Sequence, residues 1–180
     1  MINYLNLPVE MKQYLKEFNY INLTKDIVSH NWRYMPVDLV LTKEGKKWFF
    51  DKKIPLRKYA SVFKIPKNFE GPIHTDMFEY DQTDCAFNFV LSGHGEMQWI
   101  TNLKATEYTF NVNGSKHNQY KDIESFDISD VWTGNVGLVR IKVPHRVVTS
   151  GTDRYCLSIR LEKNSPLNTF DEISKLLEMQ

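Results

Sequence analysis

The sequence has few cysteines: Cys85 and Cys156 are the only two among 180 residues. Both lie inside apolar, strand-like runs, so buried free thiols are favoured over a disulfide, and a reducing compartment is expected. The chain is 42% hydrophobic and 13% aromatic. At this length it can bury roughly 70% of its unfolded surface without disulfides. Length and composition therefore predict one compact catalytic domain over residues 1–180.

Neither sign of charge predominates, because 23 basic residues balance 22 acidic ones to a net charge of +1. Proteins that make broad phosphate contacts usually have a strongly basic domain, so nucleic-acid binding is unsupported by the composition but not excluded. Residues 43–53 do interleave five lysines with three aromatic residues, a pattern that can bind single-stranded nucleic acid. Charge runs usually mark exposed faces, however, and a solvated turn and strand is the favoured interpretation.

Long apolar segments are also missing. No run of about eighteen apolar residues could cross a membrane. Residues 1–6 do not have the basic segment and following apolar segment of a secretory leader. We therefore expect a soluble, cytoplasmic protein with no membrane partner.

Two of the five histidines stand in a pattern typical of a metal site. In His74-Thr75-Asp76, strand alternation would point His74 and Asp76 to one side and Thr75 to the other. His145 comes 69 positions after Asp76 (145 − 76), so the fold must bring in this third ligand. Two imidazoles and one carboxylate can occupy one face of an octahedral Fe(II) and leave three positions open.

Strand-like segments surround both parts of this pattern. Residues 59–65 and 86–91 flank the tripeptide, residues 136–143 lead into Pro144-His145, and residues 155–161 follow a turn. Helical spacing appears at the two ends of the chain, over residues 8–18 and over residues 170–179, where Asn168 or Thr169 can cap the helix. The pattern predicts a jelly-roll β-core with flanking N- and C-terminal helices.

The combination of His74, Asp76, His145 and Arg154 resembles the Fe(II)/2-oxoglutarate-dependent oxygenases. Their pattern is His-x-Asp/Glu, a distant His, and an Arg or Lys about ten residues beyond it; here the last offset is nine (154 − 145). The nearest branch is the prolyl or aspartyl/asparaginyl hydroxylase-like one. The resemblance covers about residues 57–162 and implies a mainly β fold, the double-stranded β-helix (jelly roll, cupin-like).

The resemblance also implies roles for individual residues. His74, Asp76 and His145 would bind Fe(II), and Arg154 would bind the distal carboxylate of 2-oxoglutarate, for which a planar, permanently charged guanidinium is well suited. Tyr59 and Asn88 would add hydrogen bonds to the co-substrate. With O2 in the last position, the implied reaction hydroxylates an unactivated C–H of an amino acid, a protein side chain or another small substrate, and releases succinate and CO2.

The chain departs from the family's pattern in one place. Many relatives have Arg-x-Ser, whereas this chain has Arg154-Tyr155-Cys156, and a thiol is a weaker donor than a hydroxyl. Two other hypotheses stay open: a cupin-type metalloenzyme that does not use 2-oxoglutarate, and a non-catalytic jelly-roll binding module. Arg146 should point away from His145, and Arg160 should share the face of Arg154 at ~20 Å from it, too far for one small ligand to contact both.

The other histidines are not predicted to be ligands. His94 and His117 lie in polar, glycine-containing stretches typical of exposed turns, and His30 has no ligand spacing. Residues 101–133 are polar and aromatic, and we expect them to form loops that border the pocket and select the small-molecule or peptide substrate.

Overall fold

The computed structural model describes residues 2–27, 31–76, 83–112, 115–162, 167 and 169–178. Ten β-strands lie within this part of the chain. They are β1 (Tyr4–Asn6), β2 (Asn31–Pro36), β3 (Tyr59–Ile65), β4 (His74–Thr75), β5 (Cys85–Ser92), β6 (Gly95–Val112), β7 (Ser115–Trp132), β8 (Val136–Arg140), β9 (His145–Thr149) and β10 (Arg154–Arg160). A 3-10 helix (Val9–Tyr14) and four α-helices accompany them: α1 (Tyr20–Leu23), α2 (Val37–Val40), α3 (Lys43–Asp51) and α4 (Phe170–Glu178).

The strands form two antiparallel sheets. One has six strands in the order β1-β8-β5-β10-β3-β2, and the other closes into a ring, β4-β7-β6-β9. From β3 to β10 the chain passes repeatedly from one sheet to the other, which is the arrangement of a jelly roll. The predicted mainly β, double-stranded β-helix fold is therefore confirmed.

Alternate residues of the six-stranded sheet face two different environments. One face packs against the helices and carries the main core: Ala60, Val62, Phe87, Phe89, Leu138, Leu157 and Ile159. The opposite face points towards the second sheet. Between the sheets, a smaller apolar cluster that includes Trp99 and Trp132 fills one end, and a cavity occupies the rest.

The N-terminal helix is shorter than the spacing predicts. It is a 3-10 helix that ends at Tyr14, with Met11 buried. Leu15 is extended and forms a bridge to Leu41, and the Lys16 N–H donates to the Val40 carbonyl at 2.8 Å. These backbone bonds to a neighbouring segment replace the helical bonds that would have continued to residue 18.

The C-terminal helix begins as predicted. Thr169 and Glu172 form a capping box: the Glu172 N–H donates to Thr169 Oγ1 at 3.3 Å, and the Thr169 N–H donates to the Glu172 carboxylate at 3.2 Å. The alternative cap, Asn168, and the predicted last residue, Met179, lie outside the described residues.

The lysine-rich segment over residues 43–53 is not a turn and strand, so that prediction is wrong. It forms α3, which Thr42 caps by accepting a hydrogen bond from the Gly45 N–H at 3.0 Å. Phe49 is buried in the main core while Phe50 is 82% exposed. An apolar stripe of helical period lies beneath the lysines, and the charge run masked it. Among the described residues, no helix is long and apolar enough to span a membrane.

The segment over residues 101–133 does not form the predicted loops, so that prediction is also wrong. Most of it belongs to β6 and β7, which pair along almost their whole length as a hairpin. Asn102 and Asp122 have φ angles of 49° and 51°, and the register shifts beside them. The hairpin bends there, so its far end returns to β4 next to the cavity.

Candidate metal centre

The three predicted ligands meet on the second sheet. The register of β4 and β9 pairs His74 directly with His145, and their imidazole ring centroids are 4.4 Å apart. Asp76 directly follows β4, and its N–H donates to the Ile141 carbonyl at 2.9 Å. One donor atom from each ligand lies within 4.8 Å of the others, and no second group of this kind occurs in the described parts of the chain.

Strand boundaries around His145 differ slightly from the sequence expectation. The histidine opens β9 instead of ending β8, because the chain bends over residues 141–144 between these strands. Thr75 is buried and does not line the cavity, whereas His74 and Asp76 do. The predicted alternation within the tripeptide is therefore confirmed.

Both imidazoles are oriented in the same way. Nδ1–H of His74 donates to the Pro72 carbonyl at 2.9 Å, and Nδ1–H of His145 donates to the Val143 carbonyl at 2.8 Å. These bonds fix the tautomer and leave each Nε2 lone pair for the centre, as is usual for metal-binding histidines. Nε2 of His74 lies 3.6 Å from Oδ1 of Asp76.

The charge states of the ligands suit a cation. Burial alone would raise the pKa of Asp76, but Arg160, a hydrogen bond from His117 and the nearby His74 together hold this pKa well below its usual range. Burial, with a further contribution from His74, lowers the pKa of His145 to about 3. Near neutral pH the centre thus presents one carboxylate and a neutral imidazole without competition from protons.

Arg160 is a site residue whose role the sequence did not reveal. Its guanidinium donates to Oδ2 of Asp76 at 2.5 Å, and both side chains are nearly buried. Arg160 shares the cavity face of β10 with Arg154, as predicted. Arg160 holds Oδ2, and the other oxygen of Asp76, Oδ1, faces His74.

His117 is the second residue that the sequence analysis misplaced. It was expected in an exposed turn, but it is 7% exposed, and its Nδ1 lies 3.1 Å from Oδ1 of Asp76. The strand β7 begins at Ser115 and pairs with β4, which carries His117 inward. The two-residue spacing of His117 and Gln119, both of which line the cavity, was the available signal.

The remaining histidines and Arg146 do not line the cavity in the part of the chain that the structure describes. His94 is exposed and follows Gly93, whose φ of +78° marks a tight turn, so that prediction is confirmed. Arg146 binds Gln98 and Glu70 and stays outside the cavity, also as predicted. His30 lies outside the described residues.

Arg154 is a buried cation at one end of the cavity. It is 3% exposed, and its Nε has no hydrogen-bond partner among the described residues. The guanidinium carbon lies 6.0 Å from the Trp132 ring, and the side chain passes so close to Gly95 that a Cβ there would be 2.9 Å from its Cδ. Burial raises the pKa of the neighbouring Cys156 thiol, and Arg154 only partly opposes this shift. Cys85 and Cys156 are both buried free thiols, as predicted.

The two predicted co-substrate residues also line the cavity. Asn88 is partly buried, and its Oδ1 has no hydrogen-bond partner within the described structure. Tyr59 is 48% exposed at the cavity edge. Thus all six residues predicted for the site border one space between the sheets.

The cavity has a volume of about 370 Å³, which is the scale of a small-molecule site. Strands of both sheets line it. The six-stranded sheet contributes Trp32, Tyr34, Tyr59, Ser61, Phe63, Ile65, Asn88, Arg154, Cys156, Ser158 and Arg160, and the second sheet contributes His74, Met97, His117, Gln119, His145 and Val147.

Comparison with known proteins does not identify a family for this chain. No protein-family model matches the sequence, and no curated protein matches it. Among solved structures, the chain is similar to Bacillus subtilis oxalate decarboxylase at pH 4.6, with 10% identity, 73% of this chain and 25% of that chain covered, and a TM-score of 0.36. A point mutant of that enzyme is 11% identical, with 86% of this chain and 29% of that chain covered and a TM-score of 0.38. Another structure of Bacillus subtilis oxalate decarboxylase, from work on its Mn(II) centres, is 10% identical, with 73% of this chain and 25% of that chain covered and a TM-score of 0.35. The chain spans little more than a quarter of the length of these proteins, and similarities this low carry no argument about the reaction.

Proposed function

We propose that this protein is an Fe(II)- and 2-oxoglutarate-dependent oxygenase that hydroxylates an unactivated C–H bond of a small-molecule or peptide substrate. The observation that carries the proposal is Arg154, a buried guanidinium in the same cavity as the His74, Asp76 and His145 triad. A buried charge is costly unless it is paired. Among the described residues no carboxylate forms an ion pair with Arg154, so an anionic ligand is the natural partner.

The donor set fits iron. Two Nε2 atoms and one carboxylate oxygen match the facial triad of non-haem Fe(II) oxygenases and leave half of an octahedron open. When bound, iron, 2-oxoglutarate and O2 would supply the oxidising chemistry, with succinate and CO2 as by-products. The protein would hold the ligands in place through Pro72 and Val143 and would fix the Asp76 carboxylate through Arg160 and His117.

Arg154 would select the co-substrate. Its fork of donors can bind the distal carboxylate of 2-oxoglutarate in two parallel hydrogen bonds, including one from Nε. We assign a secondary role to Asn88, whose amide N–H can donate to a co-substrate oxygen. Tyr59, the other predicted residue, does not fit this role, because it lies six positions along β3 from Ile65, which pairs with Arg154, and six positions span ~20 Å of a strand. Ile65 and Met97 border the same space and would exclude water from it.

The test is an anaerobic titration of the Fe(II)-loaded protein with 2-oxoglutarate, following the visible metal-to-ligand charge-transfer band of the chelate. We expect the band in the wild type, no band in His145→Ala, and a 2-oxoglutarate affinity lower by about 2–5 kcal/mol in Arg154→Ala. The matched control is Arg146→Ala, which removes an arginine that lies outside the cavity.

Each alternative outcome identifies a different function. If iron binds and no band forms, a cupin-type metalloenzyme that does not use 2-oxoglutarate becomes the better description. The replacement of the usual serine by Cys156 is the observation that favours this second candidate. If iron does not bind, the three ligands are wrong and a non-catalytic binding module remains.

A further inference from the structure

A row of polar side chains crosses the cavity floor at a distance from Arg154. Ser158 on β10 pairs with Asn88 on β5 and with Ser61 on β3. Directly paired residues of antiparallel strands face the same side of a sheet, and all three residues line the cavity. They place one amide and two hydroxyl groups side by side, with Cys156 and Phe63 on the side towards Arg154 and with Arg160 on the other side.

This polar row is separate from the proposed co-substrate anchor. Ser158 lies four positions beyond Arg154 on β10, which is ~13 Å along a strand. Cys156 stands between them, paired with Phe63, and both line the cavity. An apolar strip therefore divides the arginine end from the polar row.

The amide oxygen of Asn88 lacks a hydrogen-bond donor among the described residues. Its Oδ1 is buried and receives no hydrogen bond from the described residues, and such a buried acceptor costs free energy until a donor reaches it. 2-Oxoglutarate is a dianion that carries no N–H or O–H group, so it can accept from the Asn88 nitrogen but cannot donate to Oδ1. A second molecule bound in the cavity can supply the missing donor.

The charges in the cavity restrict what that molecule can be. A carboxylate offers no hydrogen to Asn88 Oδ1. An ammonium group would share a low-dielectric space with Arg154, Arg160 and the proposed metal cation, which disfavours a further positive charge. A neutral carboxamide can make all of these hydrogen bonds. Its N–H donates to Asn88 Oδ1, and its carbonyl oxygen accepts from the serine hydroxyls.

We propose that Asn88, Ser158 and Ser61 form the subsite for the oxidised substrate and that they bind a neutral carboxamide on it. The amide N–H donates to Asn88 Oδ1, and its carbonyl accepts from the serine hydroxyls. The inference rests on the proposed function only in assigning the Arg154 end of the cavity to the co-substrate.

The experiment compares the binding of amides with the binding of carboxylic acids of matched shape. Fe(II)-loaded protein with saturating 2-oxoglutarate, kept anaerobic, is titrated with three pairs that carry no ammonium group: acetamide and acetate, benzamide and benzoate, and nicotinamide and nicotinate. Binding is followed by perturbation of the charge-transfer band and by the rise in melting temperature. We expect at least one amide to bind tenfold or more tightly than its acid, and we expect Asn88→Ala to bring that ratio within twofold.

A matched control exists in the chain. Asn3 is also buried with an Oδ1 that lacks a partner in the described structure, but it does not line the cavity. Asn3→Ala should therefore keep the amide preference. Ser158→Ala should reduce the preference by a smaller factor than Asn88→Ala.

Three outcomes would overturn the inference: no amide binds, amide and acid bind equally, or Asn88→Ala weakens 2-oxoglutarate and leaves the amide preference intact. The last result would assign Asn88 to the co-substrate alone. If the wild type shows no charge-transfer band, the proposed function fails. The amide preference is then still measured by melting temperature on the metal-loaded protein, in the Arg154→Gln background, so that acids cannot bind through that arginine.

Discussion

The two faces of the six-stranded sheet are made by alternate residues of the same strands, yet they have opposite characters. On β10, Leu157 and Ile159 point to the helices and are fully buried in the main core. Arg154, Ser158 and Arg160 point the other way, into the cavity. One face is apolar and close-packed; the other places charges and hydroxyls around an open space. The period of a strand thus lets stability and chemistry be encoded independently, one residue apart.

The largest effect on this comparison should come from Phe87→Ala, which removes a fully buried ring that packs edge-on against Phe49. We expect the free energy of unfolding to fall by about 3–5 kcal/mol. Metal affinity per folded molecule should stay unchanged, since Phe87 faces away from the cavity. Urea unfolding of the metal-free protein, with a separate metal titration, measures both. A loss of metal affinity without a loss of stability would break the division between the faces.

Arg160→Ala tests the cavity face of the same sheet. It leaves the buried Asp76 carboxylate without its guanidinium, and we expect a loss of about 3 kcal/mol, the lower end for a broken buried pair because His117 still contacts this carboxylate. Unlike the loss in Phe87→Ala, this one should be partly recovered on adding metal, whose charge replaces that of Arg160. The melting temperature with and without metal distinguishes the two variants. Identical responses to metal would contradict the comparison.

His117→Ala should have a smaller, purely local effect. It removes the contact with Oδ1 of Asp76 but leaves the stronger charge partner of this carboxylate, the Arg160 guanidinium, in place. Partners of this kind typically change metal affinity by 10–100-fold, and we expect about tenfold here. His117→Asn, whose amide can donate from a similar position, should restore part of the affinity, and His94→Ala, in an exposed turn, should have none of this effect. A loss that asparagine does not recover would indicate a packing role alone.

Arg146→Ala should give the smallest change. Its guanidinium pairs with Glu70, whose side chain is 66% exposed, and pairs with an exposed partner contribute under about 1 kcal/mol. We expect near-normal stability and unchanged metal binding, measured in the same titrations. A large change in metal affinity would mean that residues of β9 other than His145 and Val147 also contribute to the cavity face.

Sequence reasoning succeeded where the signal is local. The His-x-Asp spacing, the strand over residues 59–65 and the Thr169 cap all depend on neighbouring positions, and each is found as predicted. It failed where distant segments compete for the same backbone. The helix over residues 8–18 stops at Tyr14 because residues 15 and 16 bond to residues 40 and 41.

A second kind of failure came from polar sequence mistaken for surface. His117 stands in a polar stretch that indicates a turn, and the lysines of α3 conceal the buried Phe49 beneath them. Composition reports the average environment of a segment. It does not report which single side chain of that segment points inward.

The sequence by itself determined the chemical types in the site and their order: two histidines, a carboxylate and an arginine at the spacing that the resemblance requires. It also determined the alternation that separates core from cavity. Only the tertiary structure decided that His74 pairs with His145, that Arg160 and His117 hold Asp76, and that Asn88, Ser158 and Ser61 share one row. The reason is that such contacts depend on strand register between segments far apart in the chain, and register is set by the packing of the whole barrel.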